Sequence, residues 1–483
     1  MNDILKLNPE KVWYYFNEIC KTPRPSKKEE KISEWLVTFG KTNGLNTLKD
    51  EAGNVIIYKP ASVGNENKRT VVLQSHMDMV CEKNASTVHD FEKDPIIPYI
   101  DGEWVKAKGT TLGADDGIGM AAQLAILEAK DITHGPVECL FTVDEETGLT
   151  GAFALKPDFV KGRILLNLDS EDEGQLFIGC AGGKDTTILF NYSKKQTPEN
   201  TLAYKISLTG LKGGHSGDDI NKSLGNAVKI MNRFLLNAAE KYRINISNFN
   251  AGNLRNAIAR EAFAEIVIPE SNKNEFIEFS RGFSDTVKNE LRNTEHNIIF
   301  LVEPSVKPEY IIDSETQYKL LNALNACPHG VIAMSFEMQG LVETSTNLAS
   351  VKTLDNEIIV QTSQRSSVES AKDDVAQMVA SVFKLAGANI TQGKGYPGWQ
   401  PDINSEILDI TKKAYIGLFD TSPQVLAIHA GLECGVIGEK YKGMDMISFG
   451  PTLRGVHSPD ERINIESVER FWKLLVEILK SIT

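Results

Sequence analysis

Residues 70–80 read TVVLQSHMDMV. The opening TVVL is apolar, β-branched and strand-sized, and a histidine and an aspartate stand where it ends, at positions 76 and 78. A run so uniformly apolar reads as a strand buried on both faces, the kind found in a sheet covered by helices. In open sheets of that type, ligands bind beyond the carboxyl ends of the strands. His76 and Asp78 are two residues apart, so on an extended chain they share one side.

The surrounding sequence extends this reading. Between residues 50 and 180, strand-like NVIIYK, TVVLQS, VECLFTV and GRILLNLDS alternate with helix-like GIGMAAQLAILEAK and TGLTGAFAL. That alternation predicts an α/β sheet with helices on both faces. After Gly182-Gly183 the texture changes to longer alternating strands such as TLAYKISLTG, AFAEIVI and DNEIIVQTS. Helical stretches near 226–242, 273–291, 314–326 and 369–386 interrupt them, an α+β pattern. From about 395, GKGYPGWQP is a Gly/Pro-rich crossing. A helix near 403–419, the strand MDMISFG and the amphipathic VERFWKLLVEILK follow. A chain of 483 residues exceeds what one core usually serves. The expected organisation is therefore a discontinuous α/β domain of residues 1–186 and 390–483 with an inserted α+β domain, 187–389.

Composition narrows the function classes. With 41% hydrophobic and 24% charged residues the chain is an ordinary folded protein. A net charge of −13 and the lack of a basic stripe argue against nucleic acid. No apolar run approaches the roughly 20 residues of a membrane span, and the N-terminus lacks a basic-then-apolar leader, so a soluble cytoplasmic protein is expected. Six scattered cysteines without a CxxC read as reduced packing residues.

Four apolar runs in the α/β segments lead into acids or histidine. They yield His76 and Asp78; Asp144, Glu145 and Glu146 in VECLFTVDEETG; Asp169 in GRILLNLDSEDEG; and His457 in MISFGPTLRGVHSPDE. In TTLGADDGIGMA, Asp115 and Asp116 occupy a glycine-flanked turn before a helix. Singly, each has a structural explanation as a helix cap, an acidic first turn or a solvated loop. Jointly they would place mutually repelling carboxylates at one sheet end, which a pair of cations would neutralise. Mixed imidazole and carboxylate without thiolate suits zinc, with cobalt or manganese as substitutes. Of the adjacent Glu145 and Glu146, one can bind metal while the other stays available as a base. Asp78 can accept the second ring N–H of His76.

HMDMV, GADDGIGMA, DEETGLTGA, LLNLDSE and GVHSPDE, in that order, resemble the metal-site motifs of the co-catalytic dizinc exopeptidases, the family of aminoacylase, carboxypeptidase G and the carnosine-type dipeptidases. The whole chain is most similar to the aminoacyl-histidine dipeptidase branch. The resemblance implies a zinc-exopeptidase-like sheet with an inserted lid and dimerisation domain, and hence a homodimer. It also implies two zinc ions per chain. His76 would bind one ion and His457 the other, Asp115 would bridge them, and Glu146 and Asp169 would complete the shells. Glu145 would be the general base and Asp78 would orient His76; the Asp115–Asp116 peptide would be cis. His215 in GLKGGHSGDDI would stabilise the oxyanion.

The implied reaction is hydrolysis of short peptides, especially Xaa-His dipeptides including beta-alanyl-histidine. For a dipeptide's termini, Arg365 and Asn347 are candidates for its carboxylate and backbone carbonyl. IHAGLECG places His429 and Glu433 at i, i+4 as on one helix face, with Glu433 a candidate for the ammonium. An N-acyl amino acid deacylase or carboxypeptidase on the same site, and a non-catalytic metal-binding protein, remain alternatives.

Overall fold

The computed structural model describes residues 3–483, which separate into two compact units. The first comprises the chain up to Cys180, Trp399–Ala427 and Leu432–Thr483; the second comprises Ala181–Gly398 and Ile428–Gly431. These limits differ from those expected by several residues, and the reason is strand pairing. Gly182–Asn191 and Asn389–Gln392 pair with each other in the second unit's sheet, which claims residues on both sides of the crossing.

The first unit is built on an eight-stranded mixed sheet. At its centre Val137–Thr142, Val71–His76, Ile164–Asn167 and Asp445–Ser448 run parallel, while Val55–Lys59 pairs antiparallel with Val137–Thr142 and with Asn46–Lys49, and Asp445–Ser448 pairs antiparallel with Gln175–Cys180. Val71–His76 is buried along its whole length, as its apolar run requires. Against it packs the helix Ala114–Glu128, buried on nearly every side, and against that helix packs Glu10–Cys20. The last helix, Ile465–Ser481, buries Val468, Phe471, Leu474, Leu475, Ile478 and Leu479 at helical spacing, and Asn464 caps it by accepting the Ser467 N–H. A small antiparallel sheet pairs Leu453–Arg454 with Arg462–Asn464, and the latter with Trp104–Ala107. Its hairpin presents His457.

The second unit is a nine-stranded antiparallel sheet. Its helices Ala227–Tyr242, Lys273–Glu290, Ser314–Ala326 and Glu369–Leu385 fall close to the stretches read from periodicity. Their apolar faces, among them Phe234, Phe276, Leu320 and Phe383, share one core with strand residues such as Ile206, Ile266 and Val360.

Among the described residues no helix is long and apolar enough to cross a membrane, and the cysteines form no disulfide.

Candidate active site

The rim of the first unit's sheet is set by three adjacent parallel strands. His76 ends Val71–His76, Glu145 and Glu146 follow Val137–Thr142 through a tight turn, and Asp169 lies two residues past Ile164–Asn167. Asp115 and Asp116 open the helix Ala114–Glu128 with non-helical dihedrals, and the peptide between them is cis. Asp144 and His457 both adopt positive φ, 52° and 63°, conformations costly for residues other than glycine and concentrated at functional sites.

Asp115 stands between the two imidazoles. Its Oδ1 is 3.0 Å from His76 Nε2 and its Oδ2 is 3.2 Å from His457 Nε2. Asp169 Oδ1 lies 3.4 Å from His76 Nε2, and Glu146 Oε2 lies 3.0 Å from His457 Nε2. Donor atoms of His76, Asp115 and Asp169 all fall within 4.8 Å of one another, as do those of Asp115, Glu146 and His457. Ligands held at about 2.0–2.2 Å from a common ion have this order of separation. The donor set therefore fits two divalent cations sharing Asp115, with nitrogen and oxygen ligands and no thiolate.

The electrostatics follow from crowding. Burial alone would lower the His76 pKa, but the charge of Asp169 and contacts with Asp115, Asp169 and Asp78 raise it well above its usual value. His457, facing Asp115 and Glu146, is raised to about 11. Burial pushes Asp169 well up, whereas the two histidines hold Asp115 down against its own burial. These opposed shifts are those of acids that need positive charge beside them.

Asp78 is fully buried, with Oδ1 3.3 Å from His76 Nδ1. It also accepts the N–H groups of Glu145 (3.0 Å) and Glu146 (3.3 Å) and the Ser26 hydroxyl (2.8 Å). Burial would raise its pKa; these partners hold it at about 2. These contacts tie Asp78 to the His76 ring and to the turn bearing both glutamates. Glu145 is shifted well up by burial, and by the charges of Asp169, Glu433 and Glu146 against that of His76. A carboxylate so raised takes up a proton readily.

Glu433 requires a correction. It is 1% exposed and begins the helix Glu433–Lys440, whereas His429 lies in the turn after the strand Gln424–Ile428, so the two do not share a helix face. Its Oε2 accepts from Gln74 Nε2 (2.6 Å) and Thr142 Oγ1 (2.7 Å), while Gln74 Oε1 accepts from Asn167 Nδ2 (2.6 Å). Through Oε2 the carboxylate cross-links the three strands leading to the rim, while Oε1 is buried without a hydrogen-bond partner and offers almost no surface to an ammonium group. Burial pushes its pKa up to about 7.

The remaining candidates lie in the second unit. His215 Nδ1 is 3.1 Å from Asp218 Oδ2, and a third of its side chain is exposed. Arg365 sits in the interior strand Glu357–Ser366, is 7% exposed, and donates through Nη1 to the Tyr396 hydroxyl (3.1 Å); its Nε makes no hydrogen bond. His429 Nε2 is 2.7 Å from Ser345 Oγ, and burial together with the Arg365 charge lowers its pKa to about 4. Asn347 is corrected in detail: its amide N–H groups are taken by the carbonyls of Arg255 (3.0 Å) and Ala257 (2.8 Å). What it retains is a buried acceptor, Oδ1, which would meet an N–H and not a carbonyl.

Glu461 and Arg24 are buried charged residues beside the rim that were not among the expected site residues. Glu461 lies within the quoted GVHSPDE, four residues past His457, so its proximity was legible. Arg24, in a proline-flanked loop, carries no such signal.

Two imidazoles and three carboxylates, gathered from the carboxyl rim of a mixed α/β sheet, a helix start and a neighbouring hairpin, form a site suited to divalent cations. The chain belongs to peptidase family M20/M25/M40, whose pattern matches residues 72–481, and it is a peptide-bond hydrolase. It is 46% identical to the cytosol non-specific dipeptidase of Escherichia coli (strain K12) over 483 residues, covering 100% of this chain and 99% of that one. Among solved structures, aminoacylhistidine dipeptidase from Vibrio alginolyticus superposes with a TM-score of 0.94 at 46% identity, covering 99% of this chain and 98% of that one. Aminopeptidase PepT from Bacillus cereus ATCC 10987 shares the fold, with a TM-score of 0.57 at 16% identity and 99% of each chain covered.

Proposed function

We propose that the protein is a cytoplasmic dinuclear-zinc dipeptidase acting on short peptides, Xaa-His dipeptides including beta-alanyl-histidine among them. The observation that carries this reading is the pair of donor triads sharing Asp115, in a chain similar along its whole length to a dipeptidase. His76, Asp115 and Asp169 would hold one ion, and Asp115, Glu146 and His457 the other. Such a pair, when bound, lowers the pKa of water toward roughly 7 and polarises a carbonyl.

The chain's own groups do the rest. Glu145 takes the proton of the attacking water and returns it to the leaving amine. Asp78 keeps the Nδ1 proton of His76 on the ring, leaving Nε2 as the ligand atom, and holds the Glu145–Glu146 turn by its amides. In the second unit, the buried guanidinium of Arg365 is the candidate for the substrate carboxylate, with neutral His429 beside it, and His215 is the candidate donor to the oxyanion. The inserted unit is read as lid and dimerisation domain, so the intact protein should sediment at twice the single-chain mass; a single-chain mass would remove the dimer.

Hydrolysis of Ala-His and beta-Ala-His measured beside N-acetyl amino acids and longer peptides tests the substrate class. Turnover of the free dipeptides is expected. Activity confined to the acetylated set would establish the deacylase reading instead.

A further inference from the structure

Glu461 is 3% exposed, yet its carboxylate faces no cation within salt-bridge distance among the described residues. It receives four consecutive backbone N–H groups: Leu112 (2.7 Å) and Gly113 (3.0 Å) on Oε2, and Ala114 (2.7 Å) and Asp115 (3.3 Å) on Oε1. The helix Ala114–Glu128 has no local side-chain cap, because the residue before it is Gly113 at φ 69°. The unsatisfied amides of its first turn are therefore met by a carboxylate more than 340 positions away in the chain. Glu461 is itself tied to the His457 turn, since its N–H donates to the Ser458 carbonyl (3.0 Å).

Arg24 acts on the same stretch. It is 2% exposed, and its Nη1 donates to the carbonyls of Met77 (2.9 Å) and Asp78 (2.7 Å) while Nη2 donates to that of Gly113. A Cβ at Gly113 would lie 2.6 Å from Nη2, and one at Gly117 2.7 Å, so both glycines leave room for the guanidinium. The segment ending in Asp115 is thus held by its N–H groups and by a carbonyl. One of its two holders grips the His76–Asp78 segment and the other belongs to the His457 hairpin.

Burying two charges against backbone dipoles is an expensive way to stabilise a loop, and apolar packing would usually serve stability as well or better. What this arrangement supplies is position. We propose that Glu461, with Arg24, is a positioning residue that sets Asp115 between His76 and His457. It rests on the reading of Asp115 as the carboxylate shared by two cations. Glu461→Gln keeps one oxygen for two amides and turns an NH₂ toward the other two, displacing the Asp115 backbone.

The test uses the full chain and compares Glu461→Gln, Arg24→Lys and Asp115→Asn with the parent. Zinc dissociation constants come from competition with a chelating indicator, kcat and KM for Ala-His from assays at saturating zinc, and Tm from the metal-free protein. For Glu461→Gln, zinc affinity should fall about 10–100-fold, and kcat should fall with KM within about twofold of the parent. Arg24→Lys keeps the charge but loses the fork, should shift the same quantities in the same direction, and decides the matter if Glu461→Gln does not fold. A lowered metal-free Tm with zinc affinity and kcat within about twofold of the parent would overturn the proposal, leaving Glu461 a purely structural cap. If Asp115→Asn loses zinc while the other two variants retain it, only the positioning role fails. If Asp115→Asn also retains zinc, the shared-carboxylate reading fails and the positioning role with it.

Discussion

Asp78 and Glu145 illustrate how environment, more than residue type, sets the proton affinity of chemically similar acids. Asp78 is held down near pKa 2 by His76, the Ser26 hydroxyl and the Glu145 N–H, whereas Glu145 is pushed well up by burial and like charge. The first is suited to orienting an imidazole and the second to accepting a proton. Glu145→Gln is expected to lower kcat about 10²–10⁴-fold while two equivalents of zinc stay bound, as elemental analysis of the purified variant would read; surviving turnover would move the base elsewhere. His329, outside the site, accepts the Leu348 N–H at Nδ1 (3.2 Å), and burial lowers its pKa to about 4. Its folded-state pKa is below the unfolded value of about 6.5, so the unfolded chain binds the extra proton. The contribution is fully present above pH 6.5 and lost as pH falls toward 4, up to about 3 kcal/mol. His329→Gln should flatten the stability profile over that window, with denaturation midpoints at pH 4.5, 5.5 and 7 as the measurement.

Elements carry what single residues cannot. The rim exists because three parallel strands end together, and Glu433 ties those strands through Gln74, Thr142 and Asn167. Periodicity located these strands, since their runs are apolar and short, and it located the long helices of the second unit within a residue or so. It did not separate His429 from the helix that starts at Glu433, because an i, i+4 spacing carries no record of the turn between them. Nor did it reveal that Arg365 lies on an interior strand, since strand order is set by pairing and not by composition. Helix ends were equally hidden where their caps come from afar. Lys229 Nζ donates to the carbonyls of Leu324 (3.0 Å), Asn325 (2.9 Å) and Cys327 (2.7 Å) at the end of the helix Ser314–Ala326. Lys229→Met leaves three carbonyls unpaired and should cost about 1–3 kcal/mol. Thermal unfolding would register that as a lower midpoint with zinc content unchanged, and an unaltered midpoint would show that water replaces the lysine.

At the scale of the whole molecule, metal and fold should be linked. Cations that bind only the folded chain stabilise it by mass action. Dialysis against a chelator is expected to abolish dipeptide hydrolysis and lower the melting temperature, with zinc, cobalt or manganese restoring both; activity persisting in the metal-free protein would refute metal dependence. The class of protein could be read from the chain's motifs: short acidic and histidine stretches at the ends of apolar strands can be read locally, because strand polarity and side-chain chemistry are local properties, and their order resembles that of a known family. Local reading gathered acids and imidazoles from segments as distant as 76 and 457, and the resemblance of their motifs to the dizinc exopeptidases singled out His76, Asp115, Glu146, Asp169 and His457 among them as expected ligands. Which atom of Asp115 faces which histidine, and that Glu433 Oε2 and the Asn347 amide N–H groups already have partners, follows only from the packed chain. So does the satisfaction of the Asp115 segment by Glu461 and Arg24. A buried polar group takes whatever partner the packed chain brings to it, and for these groups the partner comes from a different segment of the chain.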